Sequence, residues 1–478
     1  MYKKLRKILI LSGLIFYFIN NPFVKALEKE DSNIKETSIE LNSNQCNIYK
    51  NVGLYKLQEL ALNKNRNFLN TKLKIKSAKD MKKFYKKSLL PYLSITGTID
   101  KAIDQWTDVT TKNKTDSSST NAFVLSSNNT NTLSAEINWD ILNPTLYSSI
   151  KSAHHDLKDT EYLSQISYNN LLKNVRLSAI NVDQEIDNIK STEYSIKRAQ
   201  KILEIAKAQL KAGFITEQDF LRQKNQSFAY QNELSVNLLK LNSSLINLNL
   251  LINNLHDNCP LIAHDSINYL KNKRNKISND DSDLIPIAFE KRLDLKSIKE
   301  KINSKKANLQ YYRRANLPAT SLYLSSTIYE TNEDEKLSFT DKDKTDTYYN
   351  DISIGLTSTT TFSGGQNKSM INSLKSEIKI LENEYLDLKD SIKSNINNLL
   401  IERDTYNQKD IVLKKQFNLA KKTYSAIELS FSKGYSTMTE VLDAQRSLSS
   451  VEKDLIINES SKAKNLVNFL RELSINEL

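Results

Sequence analysis

Residues 210–221 read LKAGFITEQDFL, and residues 431–442 read FSKGYSTMTEVL. Laid over one another, they place Leu210 on Phe431, Gly213 on Gly434, Thr216 on Thr437, Asp219 on Glu440 and Leu221 on Leu442, at an offset of 434 − 213 = 221. Each stretch has Gly where a helix would end and Thr three residues later, where the next would begin. Gly accepts the left-handed backbone of a helix C-terminus, where a bulky residue is strained. A Thr N-cap accepts a hydrogen bond from a free N–H of the new helix. Both stretches therefore predict a tight turn between two helices.

The match extends outward. Leu57, Ala61, Asn65 and Phe68 align with Leu284, Ala288, Arg292 and Leu295 at an offset of 284 − 57 = 227, and Leu90-Pro91 aligns with Leu317-Pro318 at the same offset. The chain is an internal duplication. Each half reads helix, strand, polar loop, strand, long helix, tight turn, helix.

Breakers are scarce, with 8 Gly and 6 Pro in 478 residues. Pro144 to Gly213 spans 213 − 144 = 69 positions and Gly364 to Gly434 spans 434 − 364 = 70. At 1.5 Å per residue, each predicts a helix of roughly 100 Å. Apolar residues at Leu413, Phe417, Ala420, Tyr424, Ile427 and Phe431, and at Ile196, Ala199, Leu203, Ala206 and Leu210, follow a heptad seam. Helices of this kind pack side by side as coiled coils. Rods this long do not fit a two-layer globule and lie together as an extended bundle or tube.

The strands alternate. Leu133, Ala135, Ile137, Trp139 and Ile141 are apolar with polar residues between them. The same holds for Leu93, Ile95 and Ile99, for Leu322, Leu324 and Ile328, and for Ile352, Ile354 and Leu356. This pattern suits a sheet wetted on one face. Residues 101–131 and 330–350 read as polar loops. Two hairpins give four strands, too few to close a membrane barrel, whose smallest forms have about eight. Three protomers would give twelve.

The expected layout is a signal peptide at 1–26, an N-terminal segment at 27–54, a first repeat at 55–252, a linking segment at 253–283 and a second repeat at 284–478. The first repeat has strands at 91–100 and 132–142 and helices at 145–212 and 216–252; the second has strands at 318–329 and 350–361 and helices at 366–433 and 437–474. The signal reading rests on basic residues in Met1–Lys7, a 12-residue apolar run at Ile8–Ile19, and Val24 and Ala26 before a cut. That run is too short for a spanning helix of about 20 residues. An uncleaved anchor is the other reading.

Composition narrows the function. The formal charge is +12, and removing the five cations of 1–26 leaves 12 − 5 = +7. Cations and acids alternate along the chain without a basic block, so solvated helix faces are expected rather than nucleic-acid binding. Phosphate-loop, dinucleotide, zinc-protease and serine-hydrolase motifs are missing from the sequence. No enzyme, cofactor or metal is expected. His154-His155-Asp156 reads as solvated helix surface. His256, Cys259 and His264 lack a fourth partner for a zinc site.

Three strings carry a resemblance. They are AFEKRLDL at 288–295, FSGG at 362–365 and GYSTMTEVLDAQ at 434–445. In order and with the duplication, they resemble outer-membrane efflux proteins of the TolC family over the whole mature chain. Departures are Leu293 at a usual Pro, and Asn143-Pro144 in place of a Gly pair. The resemblance implies a mainly α fold with a small β-barrel. As a homotrimer it would form a 12-stranded barrel in outer-membrane lipid, continued by a periplasmic α-helical barrel. It implies an exit duct that meets a periplasmic adaptor and an inner-membrane pump of the resistance-nodulation-division or ABC type, for efflux or type I secretion. The segments 27–54 and 253–283 would wrap the equator of the tube. Cys46 and Cys259, one in each, would there be paired in a disulfide or free.

The resemblance also assigns sites. Gly213, Thr216, Gly434 and Thr437 would form the adaptor-docking tips. Glu440 and Asp443 would line the periplasmic entrance as acidic rings. The alternative is that both acids complement a helix N-terminus. Asp219 matches an acid that helps close the tip, while Phe431 and Ser436 stand where its tyrosine and arginine partners would be. Closure is therefore expected from packing of Phe431, Ile427 and Leu210 more than from charge. A coiled-coil envelope protein without a pore, a spacer or adhesin, is the reading from another functional class.

Overall fold

The computed structural model describes residues 50–101, 105–112, 119–254, 260–263, 266–267, 284–337 and 340–474. The expected signal peptide, most of segment 27–54, Cys46, Cys259, His256 and His264 lie outside the described residues.

The first repeat runs through β1 (Lys50–Asn51), α1 (Leu54–Lys64), α2 (Arg66–Lys87), β2 (Tyr92–Lys101), β3 (Gln105–Lys112), β4 (Ser119–Leu142), α3 (Pro144–Lys211) and α4 (Glu217–Leu251). The second follows β5 (Leu261–Ile262) with α5 (Leu284–Lys291), α6 (Leu293–Arg314), β6 (Ala319–Leu337), β7 (Thr340–Thr359), α7 (Gln366–Ser432) and α8 (Met438–Glu472). None of the described helices is long and apolar enough to cross a membrane.

The helix expected before the first strand is split. Asn65 ends α1 and caps α2, accepting the Phe68 N–H at 3.0 Å through its side chain. Its amide nitrogen also donates to the Leu251 carbonyl at the end of α4, at 2.8 Å. Arg292 holds the matching place between α5 and α6. It hydrogen-bonds Asp294 (Nε to Oδ1, 2.9 Å) and pairs with the Glu472 carboxylate at the end of α8. Leu293 simply begins α6 here, so the departure from Pro costs no helix. The other departure caps a helix. Asn143 accepts the Leu146 N–H at 3.1 Å, and Pro144 takes the first turn of α3, where its missing N–H is harmless.

The helices form four columns. α3 touches α2 and α4 on one side and α6 and α8 on the other, and α7 lies against α6 and α8. The columns are therefore α2 with α4, α3, α6 with α8, and α7. The largest apolar core sits at the joints. There Leu57, Val175, Ile180, Leu248, Ile262 and Leu470 are all buried, and β1 pairs in parallel with β5.

The sheet has strand order β2-β4-β6-β7, antiparallel throughout, with β3 also on β4. β2 pairs with 129–138 of β4 and β3 with 119–126, so the two occupy successive stretches of one edge. The polar loops expected at 101–131 and 330–350 are largely strand. The ladder continues through them to the pairs Val124↔Leu337 and Leu337↔Thr340. Backbone pairing needs no apolar side chains where both faces are wet, and the Thr-rich composition suits it.

Register fixes the faces. Leu93 pairs with Ile137, Ile137 with Leu324 and Leu324 with Ile354. These share one face with Ile95, Leu133, Trp139, Ile352 and Leu356, and all are at least two-fifths exposed. The other face carries Ser94, Ser134, Glu136, Ser321, Ser325, Ser353 and Tyr323. Tyr323 stands opposite Gly355, and a Cβ there would lie 2.5 Å from its hydroxyl.

Candidate functional site

The two tip turns are built alike. Gly213 has φ 76° and Gly434 has φ 80°. Around Gly213, Phe214 N–H donates to Gln209 O at 2.9 Å and Gly213 N–H to Leu210 O at 3.0 Å. Around Gly434, Tyr435 N–H donates to Ser430 O and Gly434 N–H to Phe431 O, both at 2.9 Å. This pair of bonds closes the last carbonyls of α3 and α7. Thr216 then caps α4 and Thr437 caps α8.

Their caps differ in one bond. Glu440 accepts the Thr437 N–H at 3.0 Å while the Thr437 hydroxyl accepts the Glu440 N–H at 3.4 Å, a reciprocal capping box. Asp219 instead accepts from the Thr216 hydroxyl at 2.8 Å, and its N–H donates back to that oxygen at 3.2 Å. Asp219 also faces Arg222 at 3.8 Å. Asp443 stands free of the cap, its side chain 70% exposed and 3.9 Å from Arg446. Ser436 is half-buried in the turn.

Packing beneath the second tip is tight. Phe431 is fully buried among Ile202, Ala206, Met438, Val441 and Leu442, with Ile427 at the edge. Above it Tyr424 packs on Ala444 and Leu448, with Phe417 and Ala420 alongside. Burial, then the Glu428 charge, pushes the Tyr424 phenol up to about 12. The expected seam on α7 is therefore the packed one. On α3 the buried row is Ser195, Ala199, Ile202, Ala206 and Gln209, not Ile196, Leu203 and Leu210. Leu210 is half-buried and outside the Phe431 cluster; Gln209 takes its place, donating to the Phe431 carbonyl.

Charge contributes more here than the sequence suggested. Arg198 forks onto Glu452 at 2.8 and 2.7 Å, joining α3 to α8. Lys201 pairs with Glu428 at 2.5 Å, and Lys453 with Glu233 at 2.5 Å. No local motif marks these residues, because each partner lies in a distant helix. The histidines also differ from expectation. His155 bonds Glu300 at 2.6 Å on α6, and His154 meets Lys82 at 2.9 Å on α2, so neither is a free surface group. Burial, then Lys82, lowers the His154 pKa. Among the described residues, no group of three or more His, Cys, Asp or Glu is placed to hold a metal ion.

Far from the tip, the second repeat is held at the Arg292 joint. Arg292 is 3% exposed between Asp294 and Glu472. Burial acts to raise the Asp294 carboxyl, but the Arg292 bonds and charge outweigh it and hold it below the usual carboxylate range. The string AFEKRLDL thus marks a buried ion pair. Its Ala288 and Leu295 lie in the adjoining core with Ile392 and Ile396.

Solved channels share this fold. One is a structure of CusC, reported with its folding and transmembrane channel formation, at TM-score 0.70 and 16% identity over 93% of this chain and 98% of that one. Another is the Campylobacter jejuni CmeC outer membrane channel, at 0.67 and 16%, covering 94% and 95%. A third is the open state of the Neisseria gonorrhoeae MtrE outer membrane channel, at 0.61 and 17%, covering 93% and 95%. At these identities the likeness is one of fold. No curated protein sequence matches the chain. The family pattern for outer membrane efflux proteins matches residues 57–254 and 284–473, so each repeat is covered from its first helix to the end of its returning helix. With the duplicated tips, the one-sided sheet and the helical columns in place, that match settles the family: the chain belongs to the outer membrane efflux proteins, which are transport ducts of the outer membrane and not enzymes.

Proposed function

We propose that the protein is a homotrimeric exit duct, passing substrates from an inner-membrane transporter, through a periplasmic adaptor, to the exterior. One observation carries this: among the described residues, the sheet and the helical columns are both open at two edges. In the sheet the outer strands are β2 with β3 and β7. In the helical part the outer columns are α2 with α4 and α7. The exposed side of α4 carries Leu221, Phe228, Leu239, Ile246 and Leu250, and that of α7 carries Ile401, Val412, Leu419 and Leu429. Unpaired strand edges and apolar stripes both require cover. Three copies, joined edge to edge, give twelve strand positions and twelve columns. A closed sheet then satisfies every backbone group in lipid, with the Leu93–Ile354 face outward.

In this reading the tips at Gly213, Thr216, Gly434 and Thr437 meet the adaptor. Asp443 forms an acidic ring at the entrance, with Glu440 beside it, and Asp219, Phe431 and Ser436 are gate contacts. The pump, of the resistance-nodulation-division or ABC type, selects the substrate. Small-molecule efflux and polypeptide secretion both fit the duct. Light scattering in detergent combined with planar-bilayer recording tests the proposal. A trimer with discrete cation-preferring conductance is expected. A well-folded monomer removes the architecture, and a trimer that never conducts favours a spacer.

A further inference from the structure

Four helices converge on one buried polar junction well above the tips. Arg198 lies 213 − 198 = 15 residues before Gly213, and Glu452 lies 452 − 434 = 18 residues past Gly434. At 1.5 Å per residue the pair sits roughly 22–27 Å from the turns. Both side chains are largely buried, 20% and 17% exposed. Arg198 also donates to Ser195 at 3.0 Å, and Ser191 donates to Glu452 at 3.3 Å. Ser195 meets Ser449 at 3.2 Å beside them. From α7, the Tyr424 ring lies 6.0 Å from the Arg198 guanidinium. From α4, Glu233 holds Lys453, the neighbour of Glu452, and Tyr230 is buried close by.

Most of the buried contact below this level is of another kind. Ile202, Ala206, Phe431, Met438, Val441 and Leu442 join the same helices by apolar packing. Apolar contact is non-directional and allows helices to slide and re-seat. A forked guanidinium–carboxylate pair is directional, and a small displacement breaks both bonds. Removing one partner strands the other charge in a largely buried site. Beneath it the helices are also tied by single bonds, Lys201 to Glu428 at 2.5 Å, Gln209 to the Phe431 carbonyl and Arg446 to Gln226 at 3.1 Å, but the two cations there are exposed, and Arg198–Glu452 is the forked, largely buried tie.

We propose that Arg198–Glu452 is the pivot of tip opening: the hairpin ends α3–α4 and α7–α8 part as two arms below it, while the wall above stays closed. This rests on the reading of the tips as the closing end of a duct. The pivot does not depend on Asp219, whose partners are within its own cap and first turn.

The test uses the full-length trimer in bilayers, with Arg198→Glu, Glu452→Arg and the double swap. Spin labels at exposed Lys224 and Ser447 report below the junction, and labels at exposed Lys240 and Ile457 report above it. Each single reversal should raise conductance several-fold and widen the lower distance by about 5 Å, the scale of a one-turn helix shift. The upper distance should stay fixed, and the swap should return both readouts to wild type. Unchanged lower distances in assembled single variants overturn the proposal. So does equal widening above and below, which makes the pair a general brace, or a swap that assembles without restoring either readout. If reversal blocks assembly, the isosteric Glu452→Gln gives the same distances under the same criteria. A wild-type trimer without conductance removes the duct reading instead, and the distances still decide the pivot.

Discussion

The two repeats share a backbone and differ in chemistry at every joint. Asn65 and Arg292 both break the ascending helix and bond the end of the returning one, at Leu251 and Glu472. One does so as a neutral amide, the other as a buried cation between two acids. At the tips, Gly213 and Gly434 have φ within a few degrees of each other, yet Phe431 is fully buried while its counterpart Leu210 is half-exposed. Duplication has preserved where the chain turns and the backbone bonds that close each tip, not the side chains packed around it. The difference follows position. α4 is an outer column with one covered side, whereas α8 packs on α3, α4 and α7.

That comparison can be broken most directly at the equator. Arg292→Ala leaves Asp294 and Glu472 buried without their cation and should cost about 3–5 kcal/mol. Asn65→Ala removes a cap and one hydrogen bond and should cost about 1–2 kcal/mol. Chemical denaturation of each variant checks the ranking, and equal losses would make the joints equivalent. At the tips, Phe431→Ala should cost about 3–5 kcal/mol, since it empties a packed site. Leu210→Ala should cost about 1 kcal/mol, having less apolar area to lose. Conductance gives the second readout: Phe431→Ala should open the trimer more than Asp219→Ala does. The reverse order would return closure to charge.

Acid sharpens the contrast. The Asp294 carboxyl titrates lower in the folded chain than in the unfolded one, near 3.9. Its contribution is therefore complete above the unfolded value and is lost as pH falls through the folded one. Thermal melts from pH 5 downward should show a steeper decline for wild type than for Asp294→Asn. Asn65 does not titrate, so Asn65→Ala should leave the slope unaltered. The smallest effect belongs to the caps: Thr437→Ala and Thr216→Ala should each cost about 1 kcal/mol. Glu440→Ala should add a few tenths more than Asp219→Ala, because only Glu440 reaches back to the N-cap N–H. Should Glu440→Ala with Asp443→Ala leave cation preference intact, the acidic rings are set aside.

Much of this was legible in the sequence, and the limits are physical. Gly and Thr at the tips carry backbone information and located both turns. Strand faces were readable wherever lipid or solvent sorts residues by polarity. The upper strands were not, because pairing in water leaves no apolar alternation behind. The α7 seam was readable because α7 packs along one side, onto α6 and α8. On α3, Ala199 and Ala206 were right and the other three seam residues one position off, since that helix meets five others and buries Ser, Thr and Gln between them. Asn65 breaks a helix without Gly or Pro, through a bond to a carbonyl 186 residues away. The ion pairs of Arg198 and Arg292 join distant elements, and no spacing rule announces them.

Gly355 bears on the bore of the conduit. Its backbone is ordinary strand, so the missing side chain serves its neighbour: the Tyr323 ring lies across it, on the polar face of the sheet. Three such rings, one per subunit, would lie against the wall like folded leaves. Any larger residue at 355 must lift the ring off the strand and into the passage. The clearance of the barrel near its helical end would then be set by what one glycine lacks.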